Sequence, residues 1–382
     1  MAQFDVALHL IGAQNIPNYV AIKHLDADQH VLLTTGEMTE TAKRLKGSLI
    51  EYGPRITIED VADAFQLGGL IGQFTTLRQR YEGKRIALNV TGGTKLMAIA
   101  LLHAFYEMKG RESFYIEAHN RNELISITKN KVLPLEPCFE DAKTFVSLQT
   151  PEVLSRYKDR RPSEAELAVA RELRKIRVNK LKDYTHFFSQ AVNNYRANKL
   201  GQEDYEAIAQ KTDEVRMLLP SEESQTDFDI LKDELSQEQF WGFIGGHWFE
   251  VYTYDLFQNF RGPLKQRVRG LRLGVPVYYK DKEAEKEERQ ELDLAYTDGF
   301  ALWAIECKAR TQIPQEDVLK VENNVLRYGG TFGRGVLVSA YKQKEKVLER
   351  MKTSKNVMLV HGKDVEHLEE ALLNWCPGVW TR

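Results

Sequence analysis

Glu291, Asp293, Glu306 and Lys308 are acids and an amine spaced so that a single antiparallel hairpin would gather them on one face. Asp298-Gly299 between them is a hairpin signal. With those two residues as the loop, Asp293 opposes Ala304, Glu291 opposes Glu306, and Asp293 and Glu306 become diagonal neighbours. Period-2 alternation then puts Glu291, Asp293, Glu306 and Lys308 on one face and Leu292, Leu294, Trp303, Ile305 and Cys307 on the other. Carboxylates crowded in this way repel each other unless a cation neutralises them. A hard divalent ion, Mg²⁺ or Mn²⁺, suits two carboxylates and a carbonyl such as that of Cys307, with positions left for water and a phosphate oxygen. The expected chemistry is metal-assisted attack of water on phosphorus, with Lys308 orienting or deprotonating the water.

A second set of residues points to phosphate binding. Thr91, Gly92, Gly93, Thr94 and Lys95 follow a short apolar run and open a helical one, which places glycines, hydroxyls and free backbone amides at a helix N-terminus. The spacing is neither that of a Walker loop nor GxGxxG, so ATP hydrolysis and hydride transfer lose support. In an open sheet ordered 3-2-1-4 the ligand crevice lies between the ends of the first and fourth strands. Gly12, Ala13, Gln14 and Asn15 would lie there beside the TGGTK loop, and Thr34 and Thr35 could contribute from one side.

The elements that must carry these residues are legible as patterns. The chain has 382 residues, 42% of them apolar and 28% charged, with a net charge of -2, which suggests two or three globular domains. Near neutrality excludes a generally basic nucleic-acid binder, though not a local basic surface. No apolar run approaches a membrane span, the N-terminus does not read as a signal peptide, and Cys138, Cys307 and Cys376 show no CxxC spacing, so a cytoplasmic protein without disulfides or zinc is expected. Strands over 4–11, 30–35, 55–58 and 85–90 alternate with helices over 39–51, 60–81 (interrupted at Gly68-Gly69) and 95–109. Closing strands are expected near 112–118, 124–128 and 132–135, completing a Rossmann-like domain over 1–137. A helical region spans 138–225. It opens a helix with a Ser163/Glu166 capping box, carries Arg171, Arg174 and Lys175 on a face expected to be solvated, and ends in a linker at Pro220. A mixed α/β domain occupies 226–382. Its charge run 280–291 reads as a solvated loop, Lys265, Arg267, Arg269 and Arg272 read as a phosphate-tracking surface, and a helix is expected over 316–328.

Asp293 with Glu306-Cys307-Lys308 on the next strand resembles the active site of the PD-(D/E)XK nuclease superfamily. That resemblance implies a restriction-endonuclease-like domain and adds Glu250, on an apolar helical segment, as a further catalytic and metal-site acid. His247, one turn earlier, is expected to be a structural or cap residue. The N-terminal domain resembles the CRISPR-associated Rossmann-fold domain, CARF. Together the halves resemble the CRISPR ancillary nucleases, which implies a homodimer of type III CRISPR antiviral defence. Its allosteric activator would be cyclic tetra-adenylate, held by Gly12 to Asn15, Thr34, Thr35 and Thr91 to Lys95. Its metal-dependent endonuclease site would cut DNA or RNA with Mn²⁺ or Mg²⁺. Two alternatives stay open: an ungated restriction or repair nuclease, and a ligand-responsive regulator that binds nucleic acid without cutting.

Overall fold

The structure, a computed structural model, describes residues 3–61, 63–117, 123–149, 160–176, 178–280 and 287–375. Its first sheet begins with β1 (Phe4–Leu10), β2 (Ala27–Thr34), β3 (Ile56–Asp60), β4 (Ile86–Asn89) and β5 (Arg111–Glu117), all parallel to one another. β6 (Glu123–Ser126) and β7 (Lys131–Pro134) add antiparallel, giving the order β3-β2-β1-β4-β5-β6-β7. The order reverses between β1 and β4, as the sequence predicts. Parallel strands need cover on both faces, and the helices supply it. α1 (Ile16–His24) and α2 (Thr39–Ser48) share a core with Ala7 and Ala87, while α3 (Leu67–Arg80) and α4 (Lys95–Ala104) share one with Val6, Leu8 and Leu88. The helix expected from residue 60 starts only at Leu67. Asp60 still pairs in β3, and the Asp63 carboxylate accepts from the Phe65 backbone N–H at 2.8 Å, a local turn that competes with helix; the glycine pair then lies inside the first turn.

α5 (Ala142–Gln149) carries this core onward to the second sheet, with Phe145 and Val146 fully buried in the same apolar cluster as Leu302 and Ala304. Next come α6 (Glu164–Lys175), α7 (Val178–Arg196), α8 (Gln202–Leu218), α9 (Glu222–Glu234) and α10 (Gln237–Gly242). The predicted capping box forms, Ser163 Oγ accepting from Glu166 N at 3.2 Å and Glu166 Oε2 from Ser163 N at 2.9 Å. Two expectations for this region fail. The segment after Pro220 is no linker, because Ser221 accepts from Ser224 N and starts α9. The basic face of α6 is left to solvent only in part, at Lys175, which stays exposed. Arg171 forms a two-pronged pair with Asp255 at 2.7 and 2.6 Å, and Arg174 donates to the carbonyls of Ala340 and Gly362 at 3.0 and 2.6 Å, so α6 ties the helical region to the C-terminal domain.

After α11 (Trp248–Gln258) and α12 (Gly262–Lys265), the second sheet has the order β12-β11-β10-β9-β8. β8 (Arg269–Lys280), β9 (Glu287–Thr297) and β10 (Leu302–Lys308) run antiparallel, while β11 (Gly333–Ser339) and β12 (Val357–His361) run parallel to β10. α13 (Gln315–Asn324) links β10 to β11, and α14 (Glu345–Thr353) and α15 (Leu368–Trp375) complete the fold. Part of the run read as a solvated loop is strand, since 287–291 pair with β8; residues 281–286 lie outside the described residues, as does Cys376.

The hairpin closes differently from the expected register. Thr297 pairs with Leu302, Ala295 with Ala304 and Leu294 with Ile305, so the loop is Asp298–Ala301 rather than Asp298-Gly299. The Asp298 carboxylate causes this. It accepts from Phe300 N at 2.9 Å, from Ala301 N at 2.7 Å and from the Trp303 indole at 3.0 Å, all buried, and so holds a wider turn open. A shift of two residues leaves each strand's faces unchanged. It brings Asp293 level with Glu306 instead of diagonal to it, one position past the last paired residues, Leu294 and Ile305.

Candidate active site and ligand cleft

β9 and β10 part company at Asp293. Pairing is kept to Leu294 and Ile305, and beyond it the Asp293 side chain takes over, Oδ2 accepting from Cys307 N at 2.7 Å. That bond pins the carboxylate between the separating strands. Glu306 is only 2% exposed, on the same side of β10 as buried Leu302 and Ala304. Its Oε1 accepts from Lys308 Nζ and, at 2.7 Å, from Lys320 Nζ on α13. Lys308 also lies 3.9 Å from Asp293 Oδ2. Burial, then the charges of Glu250 and Glu306, push the Asp293 carboxyl well above the usual carboxylate range, against the opposing Lys308 and Cys307 N–H. Burial alone would lower the Lys308 ammonium, but Asp293 and Glu306 outweigh it and raise its pKa.

Glu250 arrives from the other side of the sheet. A π-helical turn over Phe243–His247, with Gly246 at φ 149°, kinks the chain just before α11, and His247 Nδ1 lies 2.8 Å from Glu250 Oε2. His247 thus orients Glu250. Among the described residues no three His, Cys, Asp or Glu side chains converge into a complete metal cage. A two-carboxylate site is what Mg²⁺-type ions commonly take, completed by water and substrate phosphate. The donors present fit such an ion, since among the described residues one oxygen of Asp293 and one of Glu306 keep free lone pairs while the second oxygens are held by N–H groups. Of the basic residues near β8, Arg269 is engaged with Glu140 at 2.7 Å, tying β8 to the chain before α5 rather than standing ready for phosphate.

The other cleft lies at the reversal point of the first sheet. Gly12, Ala13, Gln14, Pro17, Thr91, Gly92, Gly93 and Tyr115 to Glu117 line about 590 Å³, together with Thr331 and Phe332 from the second domain. Glycine is required here for close approach. A Cβ on Gly92 would stand 2.1 Å from the Leu10 carbonyl, and Gly93 has φ +71°. Thr94 caps α4, its Oγ1 accepting from Met97 N at 3.2 Å and donating to the Ala64 carbonyl at 3.0 Å. Lys95 is exposed beside it. Asn15 does not line the cleft; fully buried, it donates to the carbonyls of Thr41 and Leu148 at 2.8 and 3.1 Å. Thr34 is likewise buried, its hydroxyl on the Thr35 carbonyl at 3.1 Å.

Sequence reasoning missed the supports of the loop. Asn89 Oδ1 accepts from Thr91 N and Oγ1 at 3.2 and 2.7 Å, and Asn89 Nδ2 donates to Asn18 Oδ1 at 2.8 Å. The chain of contacts continues through His9, 3.3 Å from Asn89 Nδ2, to His30 at 3.0 Å. Burial drives the pKa of His9 well down and that of His30 to about 4. It also missed the direct contact between domains, Thr331 Oγ1 donating to Gln14 Oε1 at 2.9 Å. Apart from Asn89–Thr91, these links join residues far apart in sequence; only the buried polar strand positions His9 and Asn89, inside apolar runs, signalled that something polar faced them.

Two families match the chain: the one described as the Card1 CARF domain over residues 6–138, and the one described as Card1-like, endonuclease domain, over residues 237–379. No curated protein matches. Among solved structures, protein VC1899 from Vibrio cholerae is 13% identical with a TM-score of 0.73, covering 99% of each chain. Can2 from Sulfobacillus thermosulfidooxidans, solved with cyclic tetra-adenylate, is 20% identical with a TM-score of 0.71, covering 97% of this chain and 99% of its own. A type III CRISPR defence DNA nuclease activated by cyclic oligoadenylate is 17% identical with a TM-score of 0.54, covering 96% of this chain and 51% of its own. At these identities the structures show a shared fold.

Proposed function

Because the chain belongs to the CARF nucleases, joining a Card1-type CARF domain to a Card1-like endonuclease domain, we propose that it is a nuclease of type III CRISPR defence gated by a cyclic oligoadenylate, with cyclic tetra-adenylate as its activator. The observation that carries this reading is the shared cleft. The loop that would cradle the activator's phosphates stands against Thr331, which enters the sheet holding Glu306 two residues later through β11. Among the described residues that line the cleft there is no lysine or arginine; 118–122, next after Glu117, lie outside the described residues. Backbone N–H groups of the glycine loops and the start of α4 are suited to take up phosphate, with Lys95 beside them.

In the endonuclease domain Asp293, Glu306 and the Cys307 carbonyl would hold Mn²⁺ or Mg²⁺, with Glu250 adjacent. Such an ion, when bound, polarises the phosphoryl oxygen and lowers the pKa of a water. Lys308, held among the carboxylates, orients the attacking water and shares its proton. The substrate is a DNA or RNA phosphodiester. A twofold-symmetric cyclic activator fits a homodimer, and the exposed apolar side chains Phe65, Leu67 and Ile99 on the α3–α4 side of the CARF domain support an interface there. Proposed domain limits are 1–137, 138–225 and 226–382.

Two variants separate the sites. Glu306→Gln should lose cleavage by at least about 100-fold while binding cyclic tetra-adenylate normally in calorimetry. Gly92→Ala, whose Cβ meets the Leu10 carbonyl, should lose activator binding and all stimulation. Cleavage that survives Glu306→Gln would remove this site from the chemistry.

A further inference from the structure

Glu306 is a single carboxylate gripped at one oxygen by two ammonium groups, and the two reach it from different places. The Lys308 side chain is 18% exposed, stands on the same strand and also neighbours Asp293; the Lys320 side chain is 44% exposed and comes down from α13. One buried negative charge does not require both. Val318 and Val321 of α13, with Val325 just past its end, are buried against the sheet. Lys320, one residue before Val321, therefore lies on the flank of the helix, with its stem running along the edge of the packed face. The neighbouring cations have other partners. Arg310 pairs with Asp317 and Arg350 with Glu322, whereas the ion pair Lys320 makes among the described residues is with Glu306.

We propose that Lys320 is a substrate-binding side chain of the active site, donating to a non-bridging oxygen of the phosphodiester that approaches Glu306. The proposal rests on the nuclease reading and adds a residue to it. A half-exposed lysine on a flexible four-carbon stem can pass its ammonium from Glu306 Oε1 to a phosphate oxygen by rotating its own torsions, without moving α13. It delivers a compact positive charge where charge grows as phosphorus is attacked. Lys308, more enclosed and bracketed by two acids, stays with the water.

The test uses full-length protein, Lys320→Met and Lys320→Arg, and a fluorescein-labelled single-stranded DNA oligonucleotide in EDTA. Anisotropy gives the affinity between about 50 and about 200 mM KCl. Loss of one phosphate contact should reduce the slope of log K against log salt by about 0.7 in Lys320→Met, and Lys320→Arg should restore it. Single-turnover cleavage with Mn²⁺ and saturating cyclic tetra-adenylate should fall about 100-fold in Lys320→Met. An unchanged slope and affinity in Lys320→Met, while Glu306→Gln still abolishes cleavage, would overturn this proposal alone, even if cleavage dropped. Wild-type protein that, with Mn²⁺ and saturating cyclic tetra-adenylate, cuts neither this oligonucleotide nor its RNA counterpart would overturn the nuclease reading and this proposal together.

Discussion

Asp293 is the residue at which sequence, geometry and electrostatics meet. Its carboxyl is buried among other acids and held above the usual range. A raised folded-state pKa means that the acid is easier to keep protonated in the fold, so its contribution to stability is present at low pH and lost as pH rises through that value. Without metal, Asp293→Asn should therefore stabilise the protein at neutral pH by about 1–2 kcal/mol, read as a higher unfolding temperature in EDTA, while abolishing cleavage. A lower unfolding temperature would contradict this electrostatic account. His30 shows the opposite sign. Its pKa falls from 6.5 to about 4, so the unfolded chain takes the proton first, and stability present above about pH 6.5 declines toward about pH 4 by roughly 3 kcal/mol. His9 Nδ1 accepts from Asn89 and its Nε2 faces His30 Nδ1. Charging either ring removes an acceptor from that chain of contacts. Urea unfolding across this range should show the decline in wild type and a flatter profile in His30→Gln; parallel profiles would contradict the assignment.

At the scale of elements, the hairpin shows what a sequence discloses and where it stops. Alternation gave the faces of β9 and β10, and those faces survive a register error of two residues. The register itself depended on Asp298, whose three buried hydrogen bonds build a wider turn; an Asp-Gly pair looks the same whether its carboxylate faces water or the core. The first sheet was legible down to its reversal point because strand and helix periods alternate cleanly. The end of β3 and the start of α9 were misread because single Asp and Ser side chains decide them. Lys320 was hidden for another reason. A lysine on an amphipathic helix is ordinary until the helix is docked on a particular strand. One prediction belongs to the stretch of chain beyond it. α13 and the turn through Gly329 span about 22 Å, with Lys320 toward one end and Thr331 just past the other. Thr331→Val removes the hydroxyl's 2.9 Å hydrogen bond to Gln14 and leaves only the 3.5 Å one from the backbone N–H. It should leave measurable activator binding in calorimetry while reducing activator-dependent stimulation about tenfold; full stimulation would show that coupling runs elsewhere.

At the scale of the molecule, one apolar cluster runs from β1 of the first sheet through α5 to Leu302, Val321 and Leu337 of the second. The two domains share a core as well as a cleft, so a shift at the glycine loops of the first sheet can be felt at the strands that hold Asp293 and Glu306. Such a shift regulates only if the activator binds the cutting arrangement more tightly than the idle one. The most direct measurement is cleavage of supercoiled plasmid and of labelled single-stranded RNA and DNA with Mn²⁺, with and without cyclic tetra-adenylate, using Asp293→Asn as control. Cutting that appears with the activator, and is absent in the variant, is the predicted result. Cutting at equal rates with and without the activator would contradict the gated account.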